Sequence, residues 1–462
     1  MDKVKVTVYI TNHNYGRFIR QAILSVLHQK FTDWELIIID DGSTDGSPEI
    51  IKEFEHTPNV RVVLQENHGL IVSANIALRL SHGEYIMRLD ADDHLDENAL
   101  VVLANILDTH PDVGLVYPDY FLIDEQGEIL GLERRNKLGT DITLYNVAAH
   151  GAGTMVRSRC LQELEGYSDD IGCQDGYDLW IRLIEKFGVY NVNVPLFYYR
   201  QHGNSLTVDK ARLLKARREI DRRHAQTARN DVTLRTLAIV PARSKAHDEA
   251  AYALRAIAGR PLLDYTIDAA LVCERFVGVV VVSEDESVLD YVRPRRGVLP
   301  VRRPTDLGRP NTSIASTVRF ALQHDQLPDG IDAFMLLYVN SPLRTAEHIR
   351  NAVDNMLIFE TDSVISVYED LLNHYQHVGH GLRPLTNRRA LRLEREALWV
   401  ENGAIYLAKT KNLDGPEFLG ERIGHTVMLK QESLQIDDED DFMMVERLIT
   451  HRLQESTVAD GS

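Results

Sequence analysis

Three short acidic stretches carry the chemistry that this chain can be expected to do. In IIIDDGSTDGS, Asp40 and Asp41 end an apolar run. In LDADD, Asp90, Asp92 and Asp93 stand directly after GEYIMR. In QDGYDLWIRL, Asp175 precedes a helix-favouring segment. Carboxylates held beside a strand end can coordinate Mg²⁺ or Mn²⁺, and the ion bridges phosphate oxygens. A carboxylate at the edge of an apolar strand can accept a ring N–H such as uracil offers. One at a helix N-terminal edge stays ionised beside the helix dipole and can take a proton from a hydroxyl. These are the three tasks of moving a group off a nucleoside diphosphate: grip the base, neutralise the departing diphosphate, deprotonate the acceptor.

Each stretch also has a plainer reading. Asp41-Gly42-Ser43 reads as a turn with a helix cap at Ser47. LDADD reads as a solvated loop before a helix at Glu97, and Asp175 as an N-cap. Asp178 and Arg182 stand at i,i+4, the spacing of a structural ion pair, which leaves Asp175 to face a cleft. Two further segments join the set. ITNHNYG brings Thr11, His13 and Asn14 to the base grip, and YYRQHGNS brings Arg200 and His202, which can clamp a diphosphate.

The elements that must position these residues alternate between strand and helix. Val4–Ile10 alternates apolar and polar, and Ile19, Ile23, Val26 and Leu27 make a helical stripe. Glu35–Asp40, Val60–Leu64 and Glu84–Leu89 read as strands, with Ile71–Leu80 helical between the last two. This is the rhythm of a mostly parallel sheet covered by helices. Such sheets bind ligands beyond the carboxyl ends of their strands, where the polar residues fall. At Leu234 the rhythm restarts with LRTLAIVPAR, a helix over Pro261–Cys273 and VGVVVVS. AFMLLYV is a further strand, Thr345 can cap the helix after it, and DSVISV is another strand. The fold class expected is α/β, with two Rossmann-like nucleotide-binding domains over 1–206 and 232–456. A charged helical linker joins them over 207–231, and 457–462 is a frayed tail.

The bulk numbers narrow the partners. The chain has 462 residues, enough for two or three domains. A net charge of −18 argues against non-specific nucleic-acid binding and against attraction to an anionic membrane. The three cysteines fit no zinc spacing or disulfide framework, as in a reducing, cytoplasmic compartment. No apolar run reaches the ~18–20 residues of a membrane span, which leaves open peripheral work at the inner membrane face on a lipid-linked acceptor.

In order and spacing, VTVYITNHNYGRFIRQAILSVLHQKFTDWELIIIDDGSTDGS, HGEYIMRLDADDHL and QDGYDLWIRL with YYRQH resemble the family 2 glycosyltransferases of the GT-A fold, over about residues 4–206. The resemblance implies that Thr11, His13 and Asp41 hold the base of a nucleotide-sugar donor. It implies that Asp92 and Asp93, with Asp90, serve metal and diphosphate, and that Asp175 is the general base of an inverting transfer to a glycan or lipid-linked acceptor. Such enzymes work in surface polysaccharide or glycan assembly. Many relatives carry an Arg where this chain has Ala74, so a phosphate contact is missing or supplied elsewhere.

From Leu234 onward AIVPAR, AIAGRPLLDYTIDAAL, YVNSPLRTAEHIRNAV, ENGAIYLAK and SLQIDDEDDF resemble cytidylyltransferases of the CMP-sialate and CMP-Kdo synthetase type. Carried over position by position, the site candidates are Arg243, Lys245, Ser341, Arg344, Asn402 and Asp437. The phosphate loop departs from the family pattern: Ala246-His247 stands for Ser-Lys and Tyr252-Ala253 for Lys-Asn. The metal-binding Asp-x-Asp reads Gln435-Ile436-Asp437. A degenerate domain that binds or forms a homo-oligomer is the expectation. An active synthetase and a wholly non-catalytic scaffold are the alternatives.

Overall fold

The computed structural model describes residues 4–135, 151–168, 175–202, 210–228, 234–243, 252–309, 312–385, 398–415 and 418–459. The chain divides into two compact units. One comprises Met1–Arg217 with Leu372–Glu396, the other Arg218–Leu371 with Ala397–Ser462.

The first unit runs β1 (Val6–Asn12), α1 (Ile19–Leu27), β2 (Trp34–Asp41), α2 (Ser47–Lys52), β3 (Val60–Gln65), α3 (Leu70–Leu80) and β4 (Tyr85–Asp90). It continues with β5 (His94–Leu95), α4 (Ala99–Thr109), β6 (Val113–Ile123), β7 (Ile129–Glu133), β8 (Met155–Arg157), α5 (Ser158–Glu163), α6 (Asp175–Ile184) and β9 (Gly188–Arg200). The sheet order is β3-β2-β1-β4-β8-β6-β9-β5, with β7 beside β6. β3, β2, β1 and β4 are parallel, so their carboxyl ends share one edge. Helices cover both faces of such a sheet, and its inner strands read as apolar runs. Leu36 to Ile39 are accordingly all buried.

β1 departs from the half-exposed strand that its alternation suggests, since every residue in it is buried. Its polar Thr7 is satisfied internally: the hydroxyl donates to Glu35 Oε1 and accepts from the amide of Gly83. Two local expectations shift. The helix after LDADD starts at Ala99 rather than Glu97. Ser47 is the first residue of α2, and Asp45 Oδ1 accepts the Ser47 amide. Asp178 and Arg182 do form their ion pair, at 2.8 Å.

The charged segment after the first domain is helical as α7 (Lys210–Ala228), and the boundary between the units falls within it. In the second unit Asn351 and Asn355 donate to the buried Asp221 carboxylate. Its elements are β10 (Thr236–Pro241), β11 (Ala256–Ile257), β12 (Arg260–Pro261), α8 (Leu262–Cys273), β13 (Phe276–Ser283), α9 (Glu286–Val292) and β14 (Val298–Arg302). Then follow α10 (Ile314–Leu322), β15 (Ala333–Leu336), α11 (Ala346–Ile358), β16 (Ser363–Asp370), β19 (Leu398–Lys409), β20 (Ile423–Val427) and α12 (Glu439–Ala459), while the hairpin of β17 (Tyr375–His377) and β18 (Leu382–Pro384), between β16 and β19 in the chain, belongs to the first unit. The sheet order is β14-β13-β10-β15-β19-β16-β20, with β19 the antiparallel strand. Two apolar clusters cover its faces. Thr345 caps α11, as its position before that helix suggests.

Candidate active site

The site is built on the shared strand edge. Asn12 pairs in register with Asp40, and Thr11 with Asp90, so the ends of β2 and β4 flank the end of β1. The turn after β2 is fixed by its own acid. Asp40 Oδ1 accepts the backbone amide of Ser43, and Asp40 Oδ2 accepts the Ser43 hydroxyl and the side-chain Nδ2 of Asn12. Gly42 sits at φ +72, and a β-carbon there would stand 2.7 Å from the Asn67 amide nitrogen, so the turn demands glycine.

Asp41 is 4% exposed. Burial works to raise its pKa, but donors overcome it and leave it below the usual carboxylate range: the amides of His68 and Gly69 and the side chains of Gln65 and Ser73. Asp41 therefore stays ionised and ties the end of β2 to the start of α3. His13 Nδ1 lies 2.9 Å from the Asp41 carbonyl oxygen. Asn14, at φ +63, accepts the Thr44 amide on its side-chain oxygen and donates its own amide to Ser43 Oγ. Thr11 is buried at the same edge.

The second stretch closes into an acid cluster. One carboxylate oxygen from each of Asp90, Asp92 and Asp93 lies within 4.8 Å of the others. The Asp93 amide donates to the Asp90 carbonyl at 3.1 Å, which turns the chain back on itself. Asp93 is buried. Its Oδ1 accepts the Arg200 amide at 2.8 Å, whereas its Oδ2 is buried with no partner among the described residues. Burial first, then the charges of Asp92 and Asp90, push the Asp93 pKa well above the ordinary carboxylate value. Asp92 moves the same way, through burial and Asp90, against the opposing pull of His202, whose Nε2 lies 2.9 Å from Asp92 Oδ2. Tyr15, facing the same acids, is pushed up to about 12 by burial and then by their charge. An orphaned buried carboxylate oxygen beside two more carboxylates fits a hard divalent cation, which takes oxygen ligands and supplies the missing charge.

Arg200 and His202 take places that their sequence positions alone do not reveal. Arg200 is 2% exposed. Its guanidinium donates to the carbonyls of Asp92, Asp124 and Glu125 and to Gln21 Oε1, and it stacks over Phe18. These bonds brace the acid loop from below. His202 packs against Tyr15 and Phe18 and turns its Nε2 to Asp92. Asp175 is the first residue of α6. Its side chain lies outside the described residues.

Several participants carry no motif of their own. Gln65 and Ser73 hold Asp41, Gln21 holds Arg200, and Asn12 keeps its buried Oδ1 without a partner. Arg88 donates to Asp90 Oδ1 at 2.6 Å. Its spacing from Asp90, i and i+2 on one strand, is a signal that both side chains leave the same face.

In the second unit the candidates fall into a different pattern. Arg243 is exposed, and Lys245 lies outside the described residues. Arg344 is buried, donates to the carbonyls of Tyr338 and Ala404 and to Thr266 Oγ1, and is lowered to about 9 by burial. Ser341 is buried with no partner for its hydroxyl. Asn402 accepts from Ser366 Oγ and the Ala404 amide and donates to Ser433 Oγ. Gln435 donates to the Asn402 carbonyl at 2.5 Å and fills the space over Gly403 (φ +63). The Tyr252 hydroxyl donates to the Ile436 carbonyl. Asp437 is exposed, and Asn340 Nδ2 stands 3.4 Å from its carboxylate. Among the described residues, no helix is long and apolar enough to cross a membrane.

Comparison with known proteins agrees with this division. Residues 7–159 match the Glycosyl transferase family 2 model, and residues 237–454 match the Cytidylyltransferase model. Chondroitin synthase of Escherichia coli is 28% identical over 46% of this chain and 31% of its own length. Hyaluronan synthase of Pasteurella multocida is 26% identical over 46% of this chain and 22% of its own length. The chain thus spans less than a third of each of these relatives. Among solved structures, S. aureus TarS in complex with UDP-GlcNAc aligns at 17% identity and a TM-score of 0.42, over 49% of this chain and 68% of that one. The chain carries a family 2 glycosyltransferase domain in its N-terminal half and a cytidylyltransferase domain in its C-terminal half, each built on its own α/β sheet.

Proposed function

We propose that the first unit is an inverting glycosyltransferase that moves a sugar from a nucleotide-sugar, by default a UDP-sugar, to a hydroxyl of a glycan or lipid-linked acceptor in polysaccharide assembly. The observation that carries the reading is the cluster of Asp90, Asp92 and Asp93, whose buried Asp93 Oδ2 has no partner among the described residues. Asp92 and Asp93, with Asp90, would hold Mg²⁺ or Mn²⁺, which when bound neutralises the departing diphosphate. Thr11, His13, Asn14 and the Asp40–Asp41 turn bind the nucleoside at the same strand edge, and His202 orients Asp92. Arg200 keeps the acid loop in place from beneath.

Asp175 is the general base in this reading. It takes the proton of the acceptor hydroxyl, the oxygen attacks the anomeric carbon opposite the diphosphate, and the bond from that carbon to the phosphate oxygen breaks. One displacement inverts the configuration and needs no second carboxylate nucleophile. We further propose that the second unit does not turn over CTP, because Gln435 and Tyr252, standing where the family's acid and lysine would be, are bonded to backbone carbonyls.

Calorimetry with UDP and Mn²⁺, paired with turnover over a panel of nucleotide-sugars, tests the reading. The expected result is metal-dependent UDP binding in the wild type. Asp175→Asn keeps that binding and loses transfer by about 10³-fold or more. Normal turnover in Asp175→Asn removes the base assignment. UDP binding indifferent to Mn²⁺ removes the role of the cluster.

A further inference from the structure

We infer that Arg88 is a positioning residue that sets the cation ligand Asp90 and supports the start of α6, so that one side chain serves both ends of the reaction. The inference rests on the proposed role of the acid cluster. Arg88 lies in β4, two residues before Asp90, and its side chain is 10% exposed. Its Nε donates to Asp90 Oδ1 at 2.6 Å. One oxygen of Asp90 is thereby committed, and the carboxylate is oriented before any ligand arrives. Metal-binding carboxylates are commonly held by such a hydrogen bond, and losing it typically costs 10–100-fold in metal affinity.

The guanidinium also lies close to Gly151, which in turn packs on Gly176 at the beginning of α6. A β-carbon on Gly151 would stand 3.5 Å from Arg88 Nη1 and 3.9 Å from the Cα of Gly176. A β-carbon on Gly176 would stand 3.4 Å from the Cα of Gly151. The guanidinium, Gly151 and Gly176 thus follow one another in close succession, and Gly176 is the residue after Asp175. Arg88, Gly151, Thr154, Tyr167, Gly176 and Trp180 also line a cavity of about 20 Å³, room for one water. Arg88 brings positive charge to a cluster of three acids. Its contact with Asp90 makes it a support for a ligand rather than a contact to the donor.

The test uses the full chain. Mn²⁺ affinity is measured by titration calorimetry in the presence of UDP, for wild type, Arg88→Met and Arg88→Lys, with thermal melts to confirm folding. Arg88→Met keeps most of the volume and loses the charge and the fork. It is expected to weaken Mn²⁺ binding by about 10–100-fold. Arg88→Lys is expected to fall between the two, because an ammonium can reach Asp90 with a single bond. Saturating Mn²⁺ is expected to return UDP affinity to the wild-type value, a rescue that a merely misfolded variant would not show. Folded Arg88→Met with Mn²⁺ affinity within about twofold of wild type overturns the inference and leaves the proposed transferase intact. If Arg88→Met fails to fold, wild-type affinity in Arg88→Lys overturns it equally. A wild-type protein without Mn²⁺-dependent UDP binding removes the proposed function and this inference together.

Discussion

The two units answer the same architectural question differently. Both set polar residues around parallel strands of an α/β sheet, where such folds place ligands. In the first, three acids crowd together and one buried carboxylate oxygen is left without a partner. In the second, the corresponding polar groups are largely bonded to one another: Asn402 to Ser366 and Ser433, Gln435 to the Asn402 carbonyl, Tyr252 to the Ile436 carbonyl. Its acid Asp437 stands in solvent. The second unit also keeps a buried hydroxyl without a partner among the described residues, that of Ser341. A neutral hydroxyl costs less to leave unpaired than a carboxylate oxygen beside two further acids, which is the kind of group a cation completes. A site whose groups satisfy each other is stable by itself and gains less from a ligand.

The sharpest way to break this comparison is to exchange acids. Asp93→Asn removes a charge from the cluster while preserving its shape. It is expected to abolish Mn²⁺-dependent UDP binding and to reduce transfer by about 10³-fold or more. Asp437→Asn in the second unit is expected to leave transfer unchanged. Equal losses in an assay of donor turnover would show that the second unit's acids take part, and the contrast would fail.

A second measurement compares the ligands themselves. At 100-fold excess over its Kd, a ligand that binds only the folded state adds about 2.7 kcal/mol. For a unit of roughly 200 residues that corresponds to an upward Tm shift of about 5–10 °C. UDP with Mn²⁺ is expected to move one calorimetric transition by that amount, and CTP with Mg²⁺ to move neither by more than about 1 °C. Pyrophosphate release from CTP with an acidic sugar would contradict the assignment of the second unit outright.

How much of this was legible in the sequence follows from the range of the interactions. Strand edges were readable because parallel strands buried on both faces must be apolar runs, and each run ends where the acids begin: Leu36–Ile39 before Asp40, Leu89 before Asp90. The Asp178–Arg182 pair was readable because i,i+4 is a local spacing on a helix. The fate of Arg200 was not. An arginine at a strand end looks the same whether it meets a phosphate or braces a loop, and its partner Gln21 lies 179 residues away. Asp41 shows the same limit. Its position at the strand edge was clear, but the four donors that fill its carboxylate come from Gln65, His68, Gly69 and Ser73, a segment with no motif. The polar residues of the second unit were readable as departures from a family pattern. That Gln435 closes onto Asn402 and the space over Gly403 required the fold.

The smallest expected effect is a difference in how the two units respond to acid. Asp92 and Asp93 have raised pKa values, chiefly from burial. Their folded state binds protons more readily than the unfolded chain does, so lowering the pH relieves the cluster, whereas His94 of the same unit, brought to about 4 chiefly by burial, costs stability as pH falls below 6.5. In the second unit burial lowers the pKa of His348 below 6.5, and its Nε2 lies 3.2 Å from Glu432. Burial works to raise Glu432, but the hydrogen bond from His348 prevails and brings it to about 2. Those two depressed values imply different charges on His348; its deep burial favours the neutral ring, with Glu432 ionised. Stability from the depressed His348 is present above pH 6.5 and is lost as pH falls below it. Stability from Glu432 is present above its ordinary value near 4.5 and is lost only between there and 2. Metal-free protein taken from pH 7.5 to 5 is therefore expected to show the first unit's transition falling less than the second's, because the acids of the cluster offset His94. The window stops above 4.5 because Asp41, Asp45 and Asp108, whose pKa values are lowered, begin to cost the first unit stability below the ordinary aspartate value. Saturating Mn²⁺ with UDP should deepen the fall of the first unit alone, since a bound cation requires the ionised acids that protons would neutralise. A first-unit transition that falls as far as the second's without Mn²⁺, and no further with it, would show that the acid cluster of the first unit does not carry the burial and mutual repulsion on which its role as a cation site depends.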